Sequence, residues 1–205
     1  HPSYDIPLPE KHRFPGTKYS LLLQQLESSG LMESFLKYAP KPAAVEHLSI
    51  AHKASYIQAI ETGNLSRAQQ VRLGLPWSKI LRQRSFIAPN GTLLAAQLAL
   101  QTGIACHAAG GTHHAHWDFG AGFCVFNDLA YTARALIKMR LAKRILILDC
   151  DVHQGDGTAS ILANDGDILT CSIHCAENYP VDKACSDLDF PLLEGSDDDE
   201  YLSVL

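Results

Sequence analysis

The strongest chemical signal in this sequence is a set of ionisable residues directly behind an apolar segment. Residues 147–157 read Ile-Leu-Asp-Cys-Asp-Val-His-Gln-Gly-Asp-Gly, so Asp149, Asp151 and His153 recur at a spacing of two. In an extended chain alternate side chains point to the same side, which would place these three on one face. Carboxylate oxygen and imidazole nitrogen are suitable ligands for zinc. The pattern therefore predicts a metal site at a strand end; a polar strand end turned by the Gly-Asp-Gly loop is the simpler alternative.

A second signal is the histidine-rich segment 110–116, Gly-Gly-Thr-His-His-Ala-His. Imidazole has an unperturbed pKa near neutrality, so adjacent His113 and His114 are suited to proton transfer. Such a loop taken alone indicates little, but close to the predicted metal strand it indicates a reaction centre, with His116 as a solvated neighbour. The glycine-rich turn at 119–124 follows directly, and its small residues would let the backbone approach a ligand beside Phe123.

The helices and strands that must position these residues are predicted from apolar runs and from the residues that begin and end them. Apolar runs predict buried strands over 144–150 and 167–174 and a short strand over 103–108. Helices are expected over 17–27, 52–61, 91–101, 128–140 and 158–164, with broken helical pieces between 64 and 84. Asn127 is the expected N-cap of the helix over 128–140. The strand-helix-strand order predicts parallel crossovers and an α/β sheet, in which ligands bind at the carboxyl ends of strands.

Length and composition narrow the class of protein. A chain of 205 residues that is 46% hydrophobic is expected to form one domain. The formal net charge of −5 argues against direct nucleic-acid binding, and no apolar run or signal-peptide pattern predicts a membrane segment or export. Six scattered cysteines are typical of free thiols in a reducing compartment, so we expect a cytoplasmic protein.

Three motifs in a fixed order carry a resemblance to a known family. The order is Gly-Gly-Thr-His-His-Ala at 110–115, Gly-Phe-Cys-Val-Phe-Asn-Asp at 122–128 and Asp-Cys-Asp-Val-His-Gln-Gly-Asp-Gly-Thr at 149–158. Together they resemble the histone deacetylase family, including its bacterial acetoin-utilisation and acetylpolyamine relatives, and the likeness covers essentially the whole chain. The resemblance implies an arginase/deacetylase-like α/β fold, a three-layer parallel sheet flanked by helices. It also implies that 1–205 is the N-terminal part of a single deacetylase domain, truncated at the C-terminus.

The resemblance assigns metal ligands to the strand-end segment. It implies Zn²⁺ as cofactor, with the Asp151 and His153 side chains as ligands. It also implies K⁺ at a site formed by backbone carbonyl oxygens of Asp149, Asp151 and His153 together with Ser172 and Ile173. A second zinc-binding Asp and an oxyanion-stabilising Tyr of the family have no counterpart in 1–205. We therefore expect this chain alone to bind zinc weakly and to hydrolyse poorly.

The resemblance also assigns the catalytic groups and the reaction. His114 would be the general base that activates a metal-bound water, His113 its protonated partner, Asp149 the carboxylate holding His113, and Asp156 the one holding His114. The implied reaction is hydrolysis of an acylated amine, of the acetyl-lysine or acetylpolyamine type, to the free amine and a carboxylate.

Four further residues match the substrate path of the family. Gly122, Phe123 and Tyr179 would line a narrow tunnel for an acylated lysine or small acylated amine, and Arg13 would lie near an exit channel for the carboxylate. Two alternatives stand beside the enzyme. A binuclear manganese ureohydrolase would need an Asp where this chain has Gly155, which argues against it. A non-catalytic, truncated deacetylase-like module is the other.

Overall fold

The computed structural model describes residues 1–205, apart from the side chain of Pro2. The described part of the chain forms eight α-helices, three β-strands and two short 3-10 helices. The helices are α1 (Lys18–Ser28), α2 (Val45–Leu48), α3 (Ala54–Thr62), α4 (Arg67–Leu73), α5 (Lys79–Thr102), α6 (Asp128–Lys138), α7 (Asp156–Leu162) and α8 (Asp198–Val204). The strands are β1 (Ile145–Asp149), β2 (Ile168–Cys175) and β3 (Leu188–Leu192), and the 3-10 helices are Pro2–Tyr4 and Leu31–Ser34.

The three strands form one parallel sheet in the order β1-β2-β3. In its register Asp149 at the end of β1 lies opposite Ser172, which lies opposite Asp189 of β3. Helix α7 connects β1 to β2, the crossover that the sequence pattern predicts. The prediction of an α/β fold with a parallel sheet flanked by helices is confirmed. Strand β3 was not predicted, because Pro191 interrupts its short apolar pattern and an edge position is what tolerates it.

One face of the sheet packs on helices and the other is open at β1. Ile147 and Ile168 belong to the same buried cluster as Leu136 of α6 and Ile161 of α7. On the opposite face Leu146 and Leu148 are 58% and 48% exposed. The predicted strand at 144–150 therefore exists, but the expectation that it is buried on both faces is wrong for β1.

The ends of helices α3, α4 and α6 have the capping residues that helix ends usually have. The Asn127 side chain accepts a hydrogen bond from the backbone N–H of Ala130, which confirms it as the N-cap of α6. Helix α3 ends at Gly63 and α4 ends at Gly74, both in the left-handed conformation that glycine adopts readily.

Two local expectations are wrong. The segment 103–108 is not a strand; Ile104 is 77% exposed, and no described strand lies beside it to complete a ladder. The helix expected from 91 begins at Lys79 and continues through Pro89, because Leu81, Ile87 and Leu93 extend its buried side and offset the missing backbone bond. The C-terminal helix α8 begins after Asp197, whose side chain accepts the N–H of Glu200.

None of the described helices combines the length and apolar character that crossing a membrane requires.

Candidate active site

Two histidine-carboxylate pairs lie at the carboxyl end of β1. His113 Nδ1 is 2.6 Å from Asp149 Oδ2, and His114 Nδ1 is 2.6 Å from Asp156 Oδ1. Asp149 is the last residue of β1 and Asp156 the first of α7, so strand and helix present the two carboxylates to one loop. Because a carboxylate only accepts, each imidazole donates its Nδ1–H. Nε2 of His113 then lies 4.0 Å from Asp151 Oδ1, and Nε2 of His114 remains available to another partner. The structure thus brings together all four residues to which the resemblance assigned catalysis.

The two imidazoles are buried and lie against each other. Their side chains are 7% and 5% exposed, and their ring centroids are 4.1 Å apart with an interplanar angle of 42°. Two adjacent imidazolium charges at this distance would repel in a poorly solvated environment. The arrangement therefore favours one protonated and one neutral ring.

The charges around each ring decide which one carries the proton. Burial lowers the pKa of His113, but its hydrogen bond to Asp149 and the negative charges of Asp149, Asp151 and Asp156 outweigh burial, so the pKa is raised. Burial also lowers the pKa of His114, and the positive charges of His113 and His153 reinforce it against the hydrogen bond to Asp156, so the pKa is lowered. The surroundings favour imidazolium at His113 and neutral imidazole at His114.

The second carboxylate holds two imidazoles rather than one. Asp156 Oδ2 lies 2.9 Å from His116 Nε2, while Oδ1 holds His114. Although burial opposes it, hydrogen bonding to these two rings lowers the pKa of Asp156 to about 2. His116 also stacks on Phe119, with ring centroids 4.4 Å apart. The expectation that His116 is merely a solvated neighbour is therefore wrong; it helps to fix the carboxylate that orients His114.

Asp151 and His153 lie just beyond β1 in a more exposed turn, with side chains 49% and 37% exposed. Asp151 Oδ1 accepts the backbone N–H of His153 at 2.8 Å and is 2.9 Å from His153 Nδ1. The backbone N–H of Asp151 in turn donates to Asp149 Oδ1 at 3.0 Å. Regular strand geometry ends at Asp149, so these local turn bonds, rather than strand alternation, bring the side chains together.

The exposed turn faces the buried pair across two aromatic contacts. The His153 ring centroid is 5.7 Å from that of His114, and Tyr179 lies edge-on to His114 at 4.8 Å and to His153 at 6.0 Å. Phe123 is half-buried and holds a positive φ of 67°, and its N–H donates to Leu73 O at 2.9 Å. Of the predicted tunnel residues, Tyr179 contacts the histidines directly, and a side chain at Gly122 would strike His114.

Gly155 is required where the chain turns from the Asp151–His153 turn into α7. A Cβ at this position would overlap Asp149 Oδ2 and lie 3.4 Å from His113 Nδ1. Any larger residue must therefore displace the first histidine-carboxylate pair. The glycine that argues against a binuclear manganese site thus has a packing role here as well.

The remaining predicted site residues are placed less centrally. Ser172 and Ile173 are buried on β2, and Ser172 lies beside Asp149 in the register of the sheet. Arg13 is exposed, and none of the hydrogen bonds and ion pairs of the described residues joins it to the histidine pair. The part of the chain that the structure describes contains no group of three or more His, Cys, Asp or Glu residues arranged to hold a metal.

Sequence reasoning missed the residues that hold the histidine loop from behind. The Asn127 amide donates to the carbonyl oxygens of His113 and Ala115 at 3.3 and 3.1 Å. His52 Nδ1 donates to His116 O at 2.9 Å, and His52 Nε2 accepts the N–H of Asn127 at 2.8 Å. The available signal was a pair of polar residues, 127–128, directly after the apolar run 123–126, but its partners are 12 to 75 positions away in the sequence.

Comparison with known proteins shows which family the chain resembles. The histone deacetylase domain model matches residues 12–205. The chain is 48% identical to an uncharacterized protein of Picosynechococcus sp., covering 100% of this chain and 68% of that protein. It is 29% identical to histone deacetylase 2 of Arabidopsis thaliana, covering 99% of this chain and 56% of the plant protein. A solved HDAC homolog from Aquifex aeolicus shares the fold with a TM-score of 0.81 and 24% identity, covering 98% of this chain and 59% of that one.

The chain therefore spans between 56% and 68% of the length of these relatives. The family model covers nearly all of its residues, including both histidine-carboxylate pairs and the turn beside them. The protein belongs to the histone deacetylase family.

Proposed function

We propose that this chain carries the proton-transfer half and two metal ligands of a zinc-dependent hydrolase that cleaves an acylated amine to the free amine and a carboxylate. The observation that supports this most is the pair of buried histidine-carboxylate contacts, each 2.6 Å long, beside the Asp151–His153 turn. Two adjacent imidazoles with opposite pKa directions are suited to general acid-base chemistry near neutral pH.

Asp151 and His153 would hold the zinc ion. Asp151 Oδ1 and His153 Nδ1 already converge to 2.9 Å. A carboxylate oxygen and an imidazole nitrogen are both suitable zinc ligands, so these two side chains would hold the ion. Although burial opposes it, the His153 backbone N–H and nearby imidazoles lower the pKa of Asp151, which favours the carboxylate form that metal binding requires. Bound zinc would polarise the acyl carbonyl and lower the pKa of the attacking water.

The histidine pair would move the protons. His114, kept neutral by its surroundings, presents Nε2 as the general base toward the reacting water, because Asp156 fixes its proton on Nδ1. His113, held by Asp149, carries the positive charge beside it. The water oxygen would bond to the acyl carbon while His114 takes its proton, and the pair would give a proton to the amide nitrogen as the C–N bond breaks, so that the amine leaves neutral. Each carboxylate orients its ring and supports the charge.

The substrate would be an acylated lysine or a small acylated amine. Tyr179 lies edge-on to His114 and His153, and Phe123 stands on the strained turn next to Gly122. Aromatic walls favour a thin apolar stem, whose amide would then meet the histidines. Arg13 would assist release of the carboxylate product, and its exposed position is compatible with the outer end of an exit path.

A potassium ion would bind between the Asp151–His153 turn and strand β2. Backbone carbonyl oxygens of Asp149, Asp151 and His153 would face Ser172 and Ile173, which are buried on the neighbouring strand. Oxygen-rich surroundings suit such a hard cation. Its role would be to stabilise the turn that carries the zinc ligands.

A non-catalytic role is the second candidate. The observation that favours it is that only Asp151 and His153 stand ready as side-chain ligands, whereas a catalytic zinc site usually has three protein ligands. In that case the chain would serve assembly or regulation. A binuclear manganese site is disfavoured by the packing of Gly155 against Asp149.

The test measures zinc binding and hydrolysis together. Acetyl-lysine peptides and acetylpolyamines are assayed with added zinc, using this chain and a version extended at the C-terminus. We expect zinc-dependent hydrolysis, stronger in the extended version, and its loss in His114→Gln. His47→Gln, which changes an exposed histidine on α2, is the matched control and should behave as wild type. Inactivity of the extended version on every acyl amide tested would overturn the proposed hydrolase activity. The non-catalytic role would then remain.

A further inference from the structure

A buried carboxylate behind the histidine loop has no part in the chemistry proposed above. Asp128, the first residue of α6, is fully buried, and its side chain points toward the loop that carries His113 and His114. It accepts the backbone N–H of Thr112 at 2.7 Å and that of Gly111 at 3.0 Å. The two residues immediately before the histidine pair are thus tied to one carboxylate.

Side-chain hydroxyls complete the surroundings of this carboxylate. Thr112 Oγ1 lies 2.5 Å from Asp128 Oδ1 and accepts the backbone N–H of Asp128 at 3.2 Å. The Thr92 hydroxyl on α5 donates to Asp128 Oδ2. Two backbone N–H groups and the Thr92 hydroxyl therefore donate to the two oxygens, while the single Thr112 hydroxyl proton is shared between Asp128 Oδ1 and the Phe126 carbonyl oxygen, also 2.5 Å away. Hydrogen bonds to a charged acceptor are shorter and about twice as strong as neutral ones, so this is a firm attachment point.

The hydrogen bonds continue beyond Thr92 to His107 and Tyr4, and the donor and acceptor of each bond can be assigned. Because the Thr92 proton is given to Asp128, its oxygen must accept from His107 Nδ1, 2.8 Å away. His107 Nε2 then accepts the Tyr4 hydroxyl at 2.7 Å. Burial lowers the pKa of His107, in keeping with the neutral ring that this pattern requires. Each member of the chain is oriented by the next, which fixes the Asp128 side chain.

The backbone at Gly110 passes so close to Asp128 that only glycine fits there. A Cβ at Gly110 would lie 2.8 Å from Asp128 Oδ2, 2.8 Å from Thr92 Oγ1 and 3.0 Å from His107 Nδ1. The chain therefore passes directly over the carboxylate just before the histidines. The Gly-Gly turn and Asp128 fit together as one unit, although 18 residues separate Gly110 from Asp128 in the sequence.

We infer that Asp128 is a positioning residue for the histidine pair, acting through the Gly111 and Thr112 amides and itself oriented by Thr92, His107 and Tyr4. The inference rests on the proposed function for its catalytic consequence. Asp128 touches neither histidine ring; it fixes the backbone from which both project. Proton transfer is sensitive to displacements of a fraction of an ångström, so loosening this attachment should reduce kcat while leaving the substrate walls intact.

The test uses isosteric changes in the full chain and its C-terminally extended version. Asp128→Asn keeps the size but turns one acceptor into an NH₂ group that faces N–H and O–H donors. Kinetics on an acetyl-lysine peptide with zinc should show kcat reduced on the order of 10- to 100-fold with KM nearly unchanged. Thr92→Val, which removes only the hydroxyl donor, should show a smaller loss, and Thr92→Ser should restore activity.

Asp165→Asn is the matched control. The Asp165 carboxylate also accepts hydrogen bonds, from Arg134 of α6, but it lies away from the histidines. It should lower thermal stability without changing kcat. If Asp128→Asn lowers the melting temperature yet leaves kcat at the wild-type value, the positioning role is overturned. The same holds if Thr92→Ser fails to recover what Thr92→Val loses.

A second measurement separates this inference from the proposed function. Hydrogen exchange of the Gly111 and Thr112 amides does not depend on activity. Both should exchange faster in Asp128→Asn than in Asp165→Asn. Should the unsubstituted, C-terminally extended version prove inactive on every acyl amide, the proposed function fails while this measurement still tests the attachment. Unchanged exchange at both amides in Asp128→Asn overturns the inference by itself.

Discussion

The two halves of the candidate site are built in different ways. The anchored half is the segment 110–116, whose backbone is bound by Asp128, Asn127 and His52 and whose imidazoles are bound by buried carboxylates. The open half is the turn 151–153, in which Asp151 and His153 contact each other and are 49% and 37% exposed. The anchored half is therefore preorganised, whereas the open half keeps its donors available.

This difference fits a division of chemical tasks. Proton transfer requires rings in fixed positions and tautomers, which buried hydrogen bonds supply. A metal site must exchange a contact between its own ligands for contacts to the ion, so a half-exposed turn is less costly to rearrange. Each prediction below tests one side of this comparison.

The largest expected effect is loss of the base in the anchored half. His114→Gln removes the neutral imidazole while Asp156 keeps its contact with His116. Hydrolysis of an acetyl-lysine peptide by the zinc-loaded, C-terminally extended version should decrease on the order of 10²- to 10⁴-fold, the range typical for general acid-base groups. Zinc affinity, measured by competition with a chelator, should change little. A variant with near wild-type kcat would show that the anchored half does not transfer the proton.

The next effect concerns the acid stability of the anchored half. Mainly through burial, the pKa of His52 falls from the ordinary 6.5 to about 4. The unfolded chain therefore takes up this proton first as the pH falls. The stability contributed by neutral His52 is complete above pH 6.5 and decreases between pH 6.5 and 4, by about 3 kcal/mol in total. Protonation at Nε2 would also oppose the N–H of Asn127.

Urea unfolding from pH 7.5 to 4 measures this dependence. His52→Gln should flatten the pH dependence of the unfolding free energy relative to wild type, and His47→Gln, at an exposed position, should leave it unchanged. If the pH dependence of the unfolding free energy were the same in His52→Gln and wild type, the His52 imidazole would be solvated in the folded protein. That would contradict its buried hydrogen bonds to His116 and Asn127.

A smaller effect is expected where the two halves join. Gly155→Ala places a methyl group against Asp149 Oδ2 and His113 Nδ1, so the first histidine-carboxylate contact must lengthen. We expect kcat to decrease on the order of tenfold, the lower end for a perturbed orienting partner. Gly166→Ala is the matched control, because its Cβ would meet no atom within 4 Å. Equal behaviour of the two variants would argue that this contact tolerates displacement.

The comparison also explains what could be predicted from the sequence. Strands β1 and β2 and helix α6 follow from local apolar runs and the Asn127 cap, which need no knowledge of distant residues. The segment at 103–108 has a strand-like composition, yet a strand depends on a neighbour that the segment itself does not specify. The same reason applies to Pro89 in α5, where tertiary packing outweighs the local preference.

In the site, contacts between near neighbours were predictable and contacts to distant residues were not. The cluster at 149–153 was expected, although turn bonds rather than strand alternation produce it. Nothing local connects His116 with Asp156 or His52 with Asn127, since these contacts depend on the crossing of loops that are 40 and 75 residues apart. The histidine pair could be recognised from its motif, but its supporting groups required the structure.

The smallest expected effect is on the folding of the open half. Asp151→Asn removes a charge from an exposed contact, and such ion pairs usually contribute less than about 1 kcal/mol. In urea unfolding with a chelator present, the variant should lose no more than about 0.5 kcal/mol, whereas Asp128→Asn, the same change at a buried and fully hydrogen-bonded site, should lose about 1–3 kcal/mol. Zinc affinity should show the reverse order, because Asp151 would contact the ion and Asp128 would not. If Asp151→Asn proved as destabilising as Asp128→Asn, the turn would be part of the folded frame, and the distinction between an anchored and an open half would not hold.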